Sequence, residues 1–254
     1  MIARDGLPQG FPDRGLLIDL KFAITKILSD RSKPIASALG KNHSVVDSLI
    51  QPGNVIVTSN WDLLVEKAAA VRGVPLRLSG APSDTRLTLL KLHGSIDWTL
   101  RPDCKKRVGA ANYSSIDDLL FSSRSRPHRL ASRPVIRSKA LESWTRAYQV
   151  IKGTTTEPYM LTMARGKSDL IEPLMPIWMD AYRALSSAKE LHIIGYSMPD
   201  DDTEIRTLLR AGHERGASNP TVVVRNPSPE VHVRIRTQVT REIRSDYSPV
   251  PPIE

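Results

Sequence analysis

The sequence predicts an α/β fold, in which helices cover both faces of a parallel β-sheet and a small subdomain is inserted. Short segments of β-branched and aliphatic residues, apolar on both sides as buried parallel strands are, alternate with amphipathic helical segments. Polar clusters follow the ends of four predicted strands, as in sheets whose carboxyl edge forms a ligand crevice. We expect a single domain over residues 1–254, with residues 99–170, where hydrophobic periodicity is weak, as the insertion.

The first structured segment is predicted to be mainly helical over residues 15–50, after a loop over residues 1–14. Its apolar residues recur at helical spacing, and Phe22 falls outside the stripe that they form. The stripe consists of Leu16, Leu17, Leu20, Ala23, Ile24 and Ile27.

A buried parallel strand is predicted at residues 55–58, with a helix after it that ends near Gly73. The predicted apolar face of that helix consists of Trp61, Leu64, Val65, Ala68 and Val71. Further strands are predicted at residues 74–78 and 87–92.

The second half of the chain repeats the alternation of helix and strand. An amphipathic helix is predicted over residues 174–185, and strands at residues 191–194 and 221–224. Between these strands, Asp202 is positioned to cap a helix that contains Ile205, Leu208 and Leu209. The Pro-rich end, residues 249–252, is expected to be irregular.

Composition excludes several classes of protein. Apolar residues at 40% and charged residues at 25% exclude global disorder. A run of 18 apolar residues is absent, and the N-terminus lacks the apolar core of a secretion signal, so we expect a cytoplasmic protein without a membrane-spanning helix. The single cysteine, Cys104, excludes an internal disulfide and a multi-cysteine zinc site, and no metal-ligand spacing is present.

Most of the net charge of +9 lies in one segment. Residues 101–139 contain ten Lys or Arg and three Asp, a net of +7. The default interpretation is a solvated insertion. The alternatives are a surface that docks nucleic acid or a partner protein, and a set of cations near a bound pyrophosphate. Only Tyr113 and Phe121 are aromatic in this segment, so stacking on a single strand is not expected.

The polar clusters contain residue types that suit hydrolysis of an N-glycosidic bond. They are Thr58-Ser59-Asn60-Trp61-Asp62, His93-Gly94-Ser95, Gly195-Tyr196-Ser197 and Asn226. Asn60 can orient a water or a ribose hydroxyl, and His93 can act as a base near neutral pH. The structural alternatives are that Asn60 or Asp62 starts a helix, that His93 is a core histidine, and that Asn226 belongs to a turn.

Three motifs resemble those of a known family. Residues 58–62 resemble the Thr-Gln-Asn-x-Asp motif of sirtuins, and more closely the Thr-Thr-Asn-Tyr-Asp of SIR2-like domains. Lys91-Leu92-His93-Gly94-Ser95 looks like that family's Lys-Leu-His-Gly-Ser. Gly195-Tyr196-Ser197-Met198-Pro199-x-x-Asp202 looks like its Gly-Tyr-Ser-Leu-Pro-x-x-Asp. The resemblance spans residues 55–226 in the family's order.

The resemblance implies a Rossmann-like domain that binds NAD as a substrate without a metal. It further implies an NAD glycohydrolase, an enzyme (NADase) that releases nicotinamide and ADP-ribose, often in bacterial anti-phage defence with a second copy or a defence-system partner. Asn60 and His93 would be the catalytic pair. The NAD-binding residues would be Thr58, Asp62, Gly94, Gly195, Tyr196, Ser197 and Asn226, with Asp62 near the nicotinamide and Gly94 allowing close approach of the substrate. Protein deacylation is not expected, because the zinc-binding cysteines of deacylases are absent.

The sequence departs from the family at its beginning. The glycine-rich phosphate loop, Gly-Ala-Gly-x-Ser in this family, is not found, while Gly6-Leu7-Pro8 resembles the residues that follow that loop. We therefore expect the loop to lie at or just before Met1. The alternative to the NAD glycohydrolase is a non-catalytic NAD- or ADP-ribose-binding module, or a truncated remnant that acts through partners.

Overall fold

The computed structural model describes residues 14–38, 49–80, 82–100, 135–137, 158–161, 174–214, 216 and 219–248. Several predictions therefore fall outside the described residues: the loop over residues 1–13, most of the insertion 99–170, the side chains of the basic segment with Cys104, and the Pro-rich end.

The first group of elements forms a three-stranded parallel sheet. Its strand order is β1-β3-β2, with Val55 opposite Thr88 and Leu76 opposite Leu87. All five residues of the central strand are buried, as expected for an apolar strand with a neighbour on each side. The elements are α1 (Arg14–Ala38), β1 (Val55–Thr58), α2 (Leu64–Val71), β2 (Leu76–Arg77) and β3 (Leu87–Lys91).

The predicted insertion contributes a two-stranded antiparallel sheet, formed by β4 (Trp98–Leu100) and β5 (Val135–Arg137). This pairing was not predicted from the sequence.

A second three-stranded parallel sheet follows, with strand order β6-β7-β8. Glu190 lies opposite Thr221, and Val223 lies opposite Arg244. Helices connect these parallel strands, because a crossover must return the chain to the edge where it began. The elements are α3 (Met175–Ser187), β6 (Glu190–Ile194), α4 (Thr203–Glu214), β7 (Thr221–Arg225), α5 (Pro229–Gln238) and β8 (Arg244–Asp246).

The predicted α/β class is confirmed, with its parallel strands divided between two sheets. One hydrophobic core joins the sheets, since Leu90 and Leu92 belong to the same buried cluster as Ile193 and Val224. Trp178 of α3 lies at the junction, fully buried, and its Nε1 donates a hydrogen bond to the Leu92 carbonyl at 3.0 Å. None of the described helices has the length and apolar character to cross a membrane.

Two predicted helix faces were partly wrong. Phe22, outside the predicted stripe, is 1% exposed, whereas Leu20 and Ile27 within it are about half exposed. An apolar stripe shows which face can be buried, but the position of neighbouring elements determines which face is. On the predicted face of α2, Ala68 is buried but Val71 is exposed. Trp61 lies before the helix begins, and its indole N–H bonds the His93 carbonyl.

The helix α5 and the strand β8 were not predicted from the sequence. A signal for the helix was present, because Ser228-Pro229-Glu230 combines a favoured cap residue, proline in the first turn and an early acid. The three-residue strand β8 has little pattern of its own and is defined by its pairing with β7.

Candidate functional site

The Asn60 loop and the His93 loop contact each other directly. Their strands, β1 and β3, are parallel neighbours and therefore end at the same edge of the sheet. The Trp61 indole N–H donates to the His93 carbonyl at 3.2 Å, and the Ile96 N–H donates to the Trp61 carbonyl at 3.1 Å. The structure thus brings together the first two polar clusters.

Lys91, at the end of β3, bonds to both of these loops through its buried side chain. Its side chain is 1% exposed, and its Nζ bonds Glu66 Oε1 at 3.0 Å, Ser95 Oγ at 2.9 Å and the Asp62 carbonyl. Burial raises the pKa of Glu66 above its usual value even though Lys91 opposes the shift. Lys91 was not among the predicted site residues, although a lysine within the apolar segment Leu87–Leu92 is a signal for a buried ion pair.

The two predicted catalytic side chains differ in exposure. Asn60 is exposed, and its backbone N–H donates to Thr58 Oγ1 at 3.1 Å. His93 is 2% exposed, with its ring centroid 6.4 Å from that of Trp178. Of the two residues predicted as alternatives to start α2, Asp62 makes the hydrogen bond there. Its carboxylate accepts from the Leu64 N–H at 3.0 Å.

Gly94 has a reason to be glycine in the fold itself. Its φ is +83°, and a Cβ built there would lie 2.1 Å from the Tyr159 carbonyl oxygen. Residues 158–161 lie alongside this loop, because the Ser95 N–H bonds the Tyr159 carbonyl at 3.1 Å and the Leu161 N–H bonds the His93 carbonyl at 2.9 Å. Close approach of a substrate to Gly94 stays a prediction.

The other two clusters meet at the carboxyl edge of the second sheet. Gly195, with φ +66°, donates its N–H to the Arg225 carbonyl at 3.1 Å. Asn226 is 7% exposed, and its side chain donates to the Tyr196 carbonyl at 3.4 Å and accepts from the Ser228 N–H at 2.9 Å. Asn226 therefore holds the loop that contains Ser197, which is itself exposed.

A second contact fixes the same loop. The Tyr196 hydroxyl donates to Asp202 Oδ2 at 2.9 Å, directly before α4. Burial, followed by the nearby Asp202 charge, raises the pKa of Tyr196, so the phenol stays protonated and keeps donating. Asp202 thus precedes its predicted helix and also anchors the loop that follows β6.

The four clusters therefore form two contacting pairs. Both pairs border one core, since Tyr196 and Met198 pack into the cluster that contains Leu92 and Trp178. Across the described part of the chain, no three His, Cys, Asp or Glu side chains are grouped so as to hold a metal ion.

Comparison with known proteins identifies the family. No curated protein matches the sequence. The family model described as SIR2-like domain matches residues 54–245, which is more than half of the chain and includes every residue of the four clusters. The chain therefore belongs to the SIR2-like domain family, a group of sirtuin-related, NAD-associated domains.

Proposed function

We propose that this protein is an NAD glycohydrolase, which hydrolyses NAD to nicotinamide and ADP-ribose. The observation that supports it best is the contact between the Asn60 and His93 loops, made by Trp61 and Lys91, in a SIR2-like domain. This contact holds an exposed amide and an imidazole at the same sheet edge, where α/β proteins bind nucleotides.

The residues at both edges suit a dinucleotide. Thr58, Asp62 and Gly94 are assigned to the nicotinamide end, and Gly195, Tyr196, Ser197 and Asn226 to the phosphates and ribose. The exposed Ser197 offers a hydroxyl that can donate to a phosphate oxygen, and Gly195, which has no side chain, leaves room for the ligand beside it.

The proposed reaction breaks the bond between the ribose C1′ and the nicotinamide nitrogen. The bonding electrons neutralise the cationic ring, so the leaving group needs little acid catalysis. The transition state resembles an oxocarbenium ion, and a water adds to C1′. Asn60 orients this water, and His93 accepts its proton and later releases it to solvent.

A second candidate is a non-catalytic module that binds NAD or ADP-ribose. The 2% exposure of His93, enclosed by Trp178 and residues 158–161, favours it, because a base must reach the water that it activates.

The test is nicotinamide release from NAD, together with calorimetric binding of NAD and ADP-ribose, for the unmodified protein and three variants. His93→Gln and Asn60→Ala should each lower kcat by about 10²-fold or more, since a positioned base contributes about 10²–10⁴-fold. His192→Gln is the control, because that histidine lies on β6 with a partly exposed ring paired to Glu190.

The outcomes separate the two candidates. Cleavage that survives His93→Gln would contradict the assigned catalytic pair. Binding without cleavage would establish the second candidate, and neither binding nor cleavage would remove both.

The proposed cellular role is bacterial anti-phage defence. Infected cells that express the unmodified protein should lose NAD and give fewer plaques than cells that express His93→Gln. Equal plaque counts would contradict this role. Light scattering of the purified protein tests the expected self-association.

A further inference from the structure

The outer face of α4 is polar, and none of its residues is assigned to the proposed NAD site. Ile205, Leu208 and Leu209 bury the opposite face in the core. The outer stripe recurs at helical spacing and faces the end of α5 and the turn that follows it. It consists of Thr203, Arg206, Thr207, Arg210 and Glu214.

An open groove of about 610 Å³ lies between this stripe and residues 236–241. A second cavity of about 520 Å³ adjoins it, because both are lined by Arg236, Thr240 and Arg241. We call the two together the basic groove. Its charged lining consists of Arg206, Arg210, Arg236, Arg241 and Arg244, with Glu214, Glu242 and the titratable His213.

The basic groove lies away from the four polar clusters. Those clusters follow the carboxyl ends of the strands, whereas α4 and α5 run back to the edge where β7 and β8 begin. The groove includes that edge, since Thr221 at the start of β7 and Arg244 at the start of β8 line it. No residue of the four polar clusters lines the groove, so the inference does not rest on the proposed NAD chemistry.

Most of the positive charge in the groove is not neutralised by the protein. Five arginines face two glutamates among the described lining residues, a net of +3. Arg210 and Glu214 are 3.9 Å apart and both more than half exposed, so their attraction is weak. Arg241 is exposed, and Arg236 donates to the neutral hydroxyl of Ser245 at 3.3 Å.

Arg206 fixes the shape of the groove. Its guanidinium donates to Gln238 Oε1 at 3.1 Å, which ties α4 to the end of α5, and to the Asp200 carbonyl at 2.6 Å, in the loop before α4. The other arginines therefore lie on helices whose relative position is fixed, which lowers the conformational entropy lost when a ligand binds.

The chemistry of the lining selects phosphate. Guanidinium groups bind phosphate oxygens with paired hydrogen bonds, and threonine hydroxyls add neutral donors. Five threonines line the groove: Thr203, Thr207, Thr221, Thr237 and Thr240. No Phe, Tyr or Trp is among the described lining residues, so extended stacking of bases is not expected there. The two cavities extend well beyond the size of one phosphate, which suits a chain of phosphates.

We infer that the basic groove binds the sugar-phosphate backbone of a nucleic acid without reading its base sequence. The arginines would contact successive phosphates, and counterion release would make the affinity fall steeply with salt. The inference depends only on residues 203–244 and not on the basic segment 101–139.

The test is fluorescence anisotropy of a labelled mixed-sequence DNA single strand, titrated with the full chain at several salt concentrations. The groove variant is Arg210→Gln/Arg241→Gln. The matched control is Arg72→Gln/Arg86→Gln, which removes the same charge at exposed positions outside the strands of the first sheet. The groove variant should bind more weakly, and its slope of log affinity against log salt should be lower by about 1.4, at about 0.7 for each phosphate contact of a single strand.

Three results would overturn the inference. The unmodified chain could fail to bind the DNA, or both double variants could weaken binding equally, which would place binding elsewhere on the chain. Polyglutamate could displace the DNA as well as an unlabelled DNA strand does at equal charge, which would indicate an acidic protein as the ligand. Circular dichroism checks that each variant is folded.

Discussion

Gly94 connects the predicted site to the packing of the fold. Gly94→Ala should lower the free energy of unfolding by about 2–5 kcal/mol, because the new Cβ would overlap the Tyr159 carbonyl and the residue would hold an unfavourable φ. Gly73→Ala is the matched control, with φ +65° but open space around its Cβ, and should cost only about 1–2 kcal/mol. If urea unfolding gave the same loss of stability for Gly94→Ala and Gly73→Ala, residues 158–161 would not pack against Gly94.

Lys91 and Glu66 should behave as a coupled pair. Lys91→Met leaves the Glu66 carboxylate buried without its cation and should cost about 3–5 kcal/mol of stability. Lys91→Met/Glu66→Leu should cost less than Lys91→Met alone, because the unpaired acid is gone. Additive losses in a double-mutant cycle would contradict the coupling.

The contact between α3 and α4 depends on one small residue. A Cβ on Gly212 would lie 2.6 Å from the Leu185 Cβ, so the two helices could not keep their separation. Gly212→Ala should destabilise the protein, since overpacking costs about 1–3 kcal/mol and better helix propensity returns about 1. If thermal unfolding instead showed a gain of about 1 kcal/mol, propensity alone would act there and the close contact would be wrong.

The ion pair between Arg225 of β7 and Asp246 of β8 should stabilise the fold less at acid pH. Hydrogen bonds from Ser248, followed by Arg225, lower the pKa of Asp246 from 3.8 to about 2. A lowered carboxyl pKa stabilises the fold above about pH 4, and the stabilisation is lost as the pH falls towards 2. The stability difference between the unmodified protein and Asp246→Asn should therefore shrink between pH 4 and pH 2. Asp84→Asn, at an exposed turn residue, is the control for loss of charge. A difference that stays constant over this range would contradict the role of the ionised carboxylate.

The molecule as a whole depends on Trp178, the side chain that joins the two sheets. Trp178→Ala should cost about 3–5 kcal/mol, as a large buried aromatic does. Trp178→Phe keeps most of the ring but leaves the Leu92 carbonyl without its donor, at a cost of about 1–3 kcal/mol. Hydrogen exchange should show both sheets losing protection together in Trp178→Ala. If amide protection were lost in the second sheet alone, the two sheets would not share a core.

Much of the fold was predictable because it depends on local patterns. The strands near residues 55–58, 87–92, 191–194 and 221–224 were placed from apolar runs, and each lies within about two residues of its prediction. The clusters that follow these strands were also recognisable, since carboxyl ends of parallel strands share an edge. The buried face of α1, the strand β8 and the identity of the groups that Lys91 bonds were not predictable, because each depends on a partner distant in the chain.

Residue chemistry and local period thus specify the elements, the α/β class and the motifs of the SIR2-like family. Long-range packing specifies the rest: the bond from Trp61 to His93 across 32 residues, the enclosure of His93, and the groove between α4 and α5. The physical reason is that a hydrophobic period records which face of a segment can be buried. The partner that buries it is chosen by the free energy of packing the whole chain.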